Sequence, residues 1–244
     1  MFSDGVCCFG LAPEHDIWVP VLFYGRKKID MDNNTKKITT TAMLSAIAYV
    51  VVVVGRIPVV LFLKYDPKDI IITLGGLIWG PMTSLIVSVI VSLIEMVTIS
   101  ENGVLGCIMN IISTCSFACT ASVIYKKKRT LPGAVTGLVT GSLMMVLVML
   151  LWNYLITPIY MGYPREAVAE LMLPAFLPFN LLKAGLNAGF TFLLYKPVTT
   201  ALRKAGYISG PQNVQGRKPV GLWLLSGAIV ITCILLILSL NGII

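Results

Sequence analysis

A lysine flanked by two asparagines on one face of an apolar run is the arrangement in this chain most able to do chemistry. It lies in the stretch PFNLLKAGLNAG, residues 178–189, inside an apolar run from Leu171 to Tyr195. Asn180 precedes Lys183 by three residues and Asn187 follows it by four. At about 100° per residue the three side chains share a wedge of roughly 60° on one helix face. In the centre of a bilayer a lysine costs about 2.5–3.5 kcal/mol, and such a residue faces a cavity or a partner. Two amides and one ammonium are hydrogen-bond donors and acceptors, the means of recognition. A purely structural role for the Asn/Lys cluster is the other reading.

The elements that position this cluster follow from composition. Hydrophobic residues make up 57% of the 244-residue chain, charged residues 12%, and the mean hydropathy is +0.86. A soluble domain is nearer half apolar and a quarter charged, and several runs here approach or exceed the length of a transmembrane helix. The fold class expected is an all-α, multi-pass membrane protein; alternating strands of barrel type are absent from the pattern. The net charge of +8 would suggest nucleic acid in a soluble protein. Here most basic residues lie between the apolar runs, where they set orientation, so no nucleic-acid partner is expected. The six cysteines show neither CxxC nor Cys/His ligand spacing, and Cys115 and Cys119 read as packing residues sharing one helix face.

Residues 1–35 read as an extension without a signal-peptide pattern, of which residues 1–30 are expected to be dispensable, with Met31 as a start-like position. His15 lies there and is given no role. Six apolar spans are expected in residues 36–206: Ile38–Ile57, Ile70–Trp79, Met82–Ile99, Val104–Tyr125, Pro132–Thr157 and Pro174–Tyr195. Residues 207–220 read as a basic cytoplasmic linker, and residues 221–241 as an extra transmembrane helix. The second span is too short to cross alone unless the preceding connection also enters the membrane. Gly75-Gly76, and Gly133, Gly137 and Gly141 at fourfold spacing, predict close helix packing. Ala42 and Ala46 form a small-xxx-small pair, suited either to bundle packing or to docking a separate subunit. Glu95 is expected to line a site or to reach the interface, with the interface favoured. Residues 158–173 read as a hydrophilic connection.

An N-terminus inside the cell places fourteen of the nineteen Lys and Arg residues on the cytoplasmic side, as the positive-inside rule prefers. The segment Lys64–Asp69, mixed in charge, stiffened by Pro67 and flanked by Phe62 and Tyr65, then falls outside and suits a lid or binding loop. Asn153 falls near the outer end of the fifth span. Asn180 and Lys183 fall roughly 9 and 13 Å below the outer start of the sixth. These converge on a pocket open to the exterior, with Phe62, Tyr65, Trp152, Tyr154 and Phe179 nearby, suited to a planar, hydrogen-bonding heterocycle. No GxxxxGK[ST], HExxH or GxSxG motif and no two-carboxylate arrangement occurs in the sequence. Binding without catalysis is the reading, with any uptake driven by a gradient or by a separate partner.

From about Lys36 to Gly206 the chain resembles the substrate-binding S-components of energy-coupling factor (ECF) transporters, and among them the riboflavin-specific RibU type. The resemblance rests on FLKYDPKDI followed by LGGLIWGP, on the position of Asn153, and on PFNLLKAGLN with its N-x-x-K spacing. It implies a six-helix bundle that captures riboflavin in its outer half and is no enzyme. Asn153, Asn180 and Lys183 would contact the isoalloxazine ring, with Asn187 on the same helix face as a further candidate. Lys64 and Asp66 would contribute from a closing loop. Ala42 and Ala46 match the motif by which S-components dock on the ECF transmembrane coupling protein, with two cytoplasmic ATPases supplying energy. Riboflavin is the transported ligand, and no cofactor is implied. The extension and the seventh apolar run lie outside the six-helix pattern. S-components for thiamine, biotin or another vitamin, and a membrane-embedded enzyme or scaffold using Lys183 and Glu95, are the alternatives.

Overall fold

Long apolar runs bounded by Pro, Gly and charged residues become helices because a helix satisfies its own backbone in a medium without water. The computed structural model describes residues 33–60, 63–99, 103–162, 164–204 and 220–240. In chain order these form α1 (Asn33–Gly55), β1 (Ile57–Val60), β2 (Leu63–Tyr65), α2 (Lys68–Trp79), α3 (Pro81–Thr98), α4 (Gly103–Lys128), α5 (Leu131–Met161), α6 (Arg165–Leu171), α7 (Leu177–Lys204) and α8 (Val220–Leu240). The N-terminal extension up to residue 32 and the linker from 205 to 219 lie outside the described residues. So do His15 and Phe62.

Five described helices have the length and apolarity to cross a membrane: Lys37–Gly55, Pro81–Thr98, Gly103–Lys128, Leu131–Ile159 and the continuous stretch Arg165–Leu202. The short second span, α2, is the hub of the bundle, packed against α1, α3, α4 and α7. Nine of its twelve residues, from Lys68 to Leu77, are buried. Twelve residues make a rod of only about 18 Å, too short to cross a bilayer alone, and the connection before it packs into the bundle. Ile57–Val60 and Leu63–Tyr65 pair antiparallel as a small hairpin, irregular between Pro58 and Val60, whose Val59, Leu63 and Tyr65 are buried. The all-helical expectation thus gains one two-stranded element, formed where Pro58 forbids the helix to continue.

Glycines set the closest approaches. A Cβ on Gly76 would lie 1.8 Å from Ser84 Oγ and 2.2 Å from Ser122 Oγ, which locks α2 against α3 and α4. Along α5, Gly137 and Gly141 bring the helix onto the carbonyls of Ala121 and Phe117 in α4, each 2.7 Å from where a Cβ would stand. The hydroxyls of Tyr125 and Tyr195 hydrogen-bond between α4 and α7.

The expected hydrophilic connection at 158–173 is replaced by helix. Pro158 lies within α5, which ends at Gly162 in the left-handed conformation with its N–H on the Pro158 carbonyl, 3.0 Å away. After Pro164 the chain re-enters as α6 and runs into α7 through a single wide turn of π-helix, Met172–Phe176. Pro174 in that turn has no N–H to give, which favours a locally widened helix. α7 then continues through Pro197 to Lys204, well beyond the expected end at Tyr195.

Candidate functional site

Three polar strata meet inside the bundle, from α2, α4 and α7. Lys183 on α7 lies 3.2 Å from Asp69 Oδ2 on α2. Asp69 is fully buried and also accepts from Thr114 Oγ1 of α4 at 2.6 Å and from Asn187 Nδ2 of α7 at 3.2 Å. Asn187 in turn accepts from the Tyr65 hydroxyl at 3.1 Å. Burial, with Asp69 and Asp66 nearby, holds the Tyr65 phenol above its ordinary pKa, so it remains the donor in that bond. A lysine in the membrane is thereby made affordable by a carboxylate whose remaining lone pairs are also satisfied.

A second cluster lies where the C-terminal ends of α1 and α3 meet the N-terminal end of α2. Arg56 Nε binds Asp66 Oδ1 at 2.6 Å, and its Nη2 reaches Glu95 Oε2 at 3.3 Å. Lys68 Nζ bridges both Glu95 oxygens at 2.5 and 2.6 Å, and Asn110 Nδ2 donates to Glu95 Oε2 at 3.1 Å. Glu95 and Lys68 are each 1% exposed. This corrects two expectations: Glu95 does not reach the interface, and Lys68 is no outer-rim cation. They form a buried pair from residues 27 apart in the chain, a relation no local spacing reveals.

Between the two clusters lies a cavity of about 60 Å³, lined by Arg56, Leu63, Lys64, Asp66, Gly106, Met109, Asn110, Ser113, Met149, Asn153, Phe179, Asn180 and Lys183. Asn153, Asn180, Lys183, Lys64 and Asp66, proposed from sequence, all reach its wall. Asn187 does not. One helical turn below Lys183 it faces α2, where Asp69 and Tyr65 use its amide. Of the aromatics, Phe179 lines the cavity. Tyr154 is 43% exposed on the far side of α5, Trp152 packs beside the cluster around Phe117 and Met145, and Tyr65 stands behind the wall.

The wall contributed by α4 is the part sequence reasoning missed. Gly106, Asn110 and Ser113 recur at helical spacing in GCIMNIIS, so the signal was a small-polar stripe in an apolar run. Arg56 was missed because a lone arginine after a helix resembles an end marker.

Two wall atoms have unused hydrogen-bonding capacity. Asn153 is 1% exposed; its Oδ1 accepts from Thr157 Oγ1 at 3.3 Å, while its Nδ2 has no partner among the described residues. Ser113 Oγ, buried in the opposite wall, likewise has none. Asn180 Nδ2 donates to the Phe176 carbonyl at 2.8 Å, so the atom it can present to the cavity is the acceptor Oδ1. The site offers an amide donor, an amide acceptor, a hydroxyl and an ammonium, backed by Phe179, Met109, Met149 and Leu63. It has the makeup of a small-molecule site, apolar with a few placed polar groups.

Comparison with known proteins agrees with this geometry. Residues 36–195 match the family model of the ECF transporter substrate-specific component. The riboflavin transporter RibU of Staphylococcus aureus is 29% identical over 189 residues, covering 74% of this chain and 98% of that protein. The riboflavin transporter FmnP of Bacillus subtilis is 28% identical over 161 residues, covering 61% of this chain and 84% of its own length. A solved S component of a bacterial ECF transporter superposes with a TM-score of 0.60 at 28% identity, spanning 70% of this chain and 99% of that one. With the all-α membrane bundle, the buried polar cavity and a family match across most of the folded chain, the protein belongs to the substrate-specific components of ECF transporters, binding subunits rather than enzymes.

Proposed function

We propose that the chain captures riboflavin from outside the cell and delivers it inward with energy from an ECF module. The observation that carries this is the pair of buried groups, Asn153 Nδ2 and Ser113 Oγ, that have no partner among the described residues and face a cavity also lined by Asn180 and Lys183. A buried donor without a partner costs about 1–3 kcal/mol, so a ligand that supplies an acceptor recovers that energy. An isoalloxazine ring carries two carbonyls, ring-nitrogen acceptors and one N–H, a pattern complementary to an amide donor, an ammonium and an amide acceptor. The relatives named as riboflavin transporters favour the same ligand.

The cavity volume of about 60 Å³ is close to that of two waters, far below the roughly 300 Å³ of a typical ligand pocket. Admission of a flavin therefore requires part of the wall to yield. With the N-terminus cytoplasmic, the hairpin segment with Leu63, Lys64 and Asp66 is the wall on the outer side, and its strands are only four and three residues long. Riboflavin has about 27 non-hydrogen atoms; at about 0.3 kcal/mol each, about 8 kcal/mol is available, enough for micromolar binding or tighter.

The partners in this reading are the ECF transmembrane coupling protein and two cytoplasmic ATPases, with the N-terminus cytoplasmic. The distribution of Lys and Arg supports that orientation: Lys126–Lys128 end α4 and Lys196 and Lys204 lie in the last turns of α7, on the same side of the bundle as the start of α1. Docking through Ala42 and Ala46 is supported by their exposure on α1 beside the buried Ala48.

The test is an absorbance spectrum of the detergent-purified chain followed by a riboflavin fluorescence-quenching titration. The expected result is saturable quenching, with flavin bands when ligand copurifies. A colourless protein that leaves riboflavin fluorescence unchanged while retaining thiamine or biotin in equilibrium dialysis would overturn riboflavin and keep the S-component.

A further inference from the structure

The family match ends at residue 195, so α8 is an addition to the common bundle. It is also well seated. Ser226 Oγ donates to the Gly189 carbonyl at 2.8 Å, and a Cβ on Gly189 would stand 2.6 Å from Val230 Cγ2. Gly185 meets Cys233 Sγ in the same way, at 3.1 Å. A hydrogen bond to a backbone carbonyl across two glycine gaps is a specific helix–helix interface, distinct from chance adjacency in lipid.

The outer half of α8 does more than cover α7. Val230, Cys233 and Ile237 belong to one buried apolar cluster with Val59, Leu63 and Tyr65 of the hairpin, with Phe176 of the π-helical turn and with Phe179, Leu182 and Leu186 of α7. α8 packs directly on β1 as well as on α7. Leu63 and Phe179 in that cluster are also wall residues of the cavity. The outer part of α8, β1–β2 and the cavity wall are therefore one packed unit. A hairpin of seven strand residues has little stability of its own, and what it packs against decides how often it opens.

We propose that α8 is a positioning element for the cavity: Val230, Cys233 and Ile237 clamp the β1–β2 hairpin onto α7 and slow the escape of bound ligand. The proposal rests on the riboflavin reading for its kinetic readout, and its structural half stands apart from that reading. Ile237 and Val59 touch no ligand; they act through Leu63 and the hairpin backbone. If α8 merely stabilised the bundle, weakening its packing would lower the melting temperature without changing the opening of one segment.

The experiment uses the full-length chain as wild type, Val59→Ala, Ile237→Ala and the double variant. Dissociation is followed by recovery of riboflavin fluorescence after dilution into competing ligand, and backbone hydrogen exchange is followed without ligand. Each single variant is expected to dissociate about three- to tenfold faster, association changing far less, as is usual for interface variants. The double variant should be little faster than either single one, because both loosen the same packing of α8 on the hairpin. Exchange of amides 57–66 should accelerate in Ile237→Ala while α4 and α5 keep their protection. Additive kinetic effects, or a lower melting temperature with unchanged dissociation and unchanged exchange of 57–66, would overturn the proposal. If the wild type does not bind riboflavin, the functional reading fails, and the exchange arm alone decides whether α8 holds the hairpin. Should Ile237→Ala not survive purification, Ile237→Val takes its place, with a smaller acceleration in the same direction expected.

Discussion

Asn153 is held in place by one hydrogen bond and has another to give. Its Nδ2 is buried beside the cavity without a partner among the described residues, so it stabilises nothing in the ligand-free chain. Asn153→Ala removes the donor and frees Thr157 Oγ1, which can turn to its own helix carbonyl four residues back. The expected outcome is a riboflavin Kd weakened by about 5–30-fold, corresponding to about 1–2 kcal/mol, with a melting temperature close to wild type. An equal loss of both would mean that Asn153 is a packing residue. Lys183 behaves differently because it is one half of a buried pair. Among the described residues, Lys183→Met leaves Asp69 with the Thr114 hydroxyl and the Asn187 amide as its direct side-chain hydrogen-bond donors. An uncompensated buried charge of this kind costs about 3–5 kcal/mol, so the single variant should lose stability and binding together. The double variant Lys183→Met/Asp69→Asn should recover roughly half of the stability or more and none of the binding. Thermal unfolding in detergent alongside the titration separates the two roles.

The short helix α2 shows how one element can organise a bundle without spanning it. Gly75 and Gly76 are adjacent, yet their substitution should differ sharply. At Gly75 a Cβ meets the end of the Leu44 side chain at 2.8 Å, which can rotate away. At Gly76 it meets Ser84 Oγ and Ser122 Oγ at 1.8 and 2.2 Å, on short side chains of two different helices. Gly76→Ala is expected to destabilise by about 2–3 kcal/mol, and Gly75→Ala by less than about 1, read as thermal unfolding in detergent. Equal effects would mean that α2 can shift as a body. Apart from the far end of α7, the spans were legible in the sequence to within a few residues, because bilayer-length apolar runs and Gly/Pro boundaries are local signals: α4 was expected at Val104–Tyr125 and runs Gly103–Lys128. That Asn153, Asn180 and Lys183 face the interior was legible for a related reason, since polar groups inside an apolar run avoid lipid. Their partners were not. The Asn187–Asp69 contact joins residues 118 apart and Arg56–Glu95 joins residues 39 apart, so the charge balance of the site exists only once the helices are assembled. The β1–β2 hairpin was read as a loop because four- and three-residue strands are too short for alternation to register.

The molecule as a whole presents two kinds of apolar surface, one facing lipid indifferently and one shaped for close approach. On α1, Ala42 and Ala46 are exposed between the large exposed side chains Ile38, Met43, Ile47 and Val50. Ala48, on the opposite side of the same helix, is fully buried against Ile72, Val87 and Val91. Among the described residues nothing needs Ala42 or Ala46 to be small, since both are exposed and α1 packs on α2 and α3 through its other face; a docked helix of another subunit would. Ala42→Trp and Ala46→Trp should therefore leave riboflavin affinity within about twofold, below the roughly tenfold that each 1.4 kcal/mol represents. Uptake by cells that also contain an ECF module should be reduced about tenfold or more, since a bulky group at a close-packed contact costs several times the thermal energy. Ala48→Trp is the control: it overfills the α1–α2–α3 core and should lose binding and uptake together. If Ala42→Trp also loses binding, its face packs within the bundle and the docking assignment falls. If uptake survives both exposed substitutions, the coupling protein engages another face, and the exposed side of α3 around Leu85, Ile86 and Leu93 is the next surface to probe.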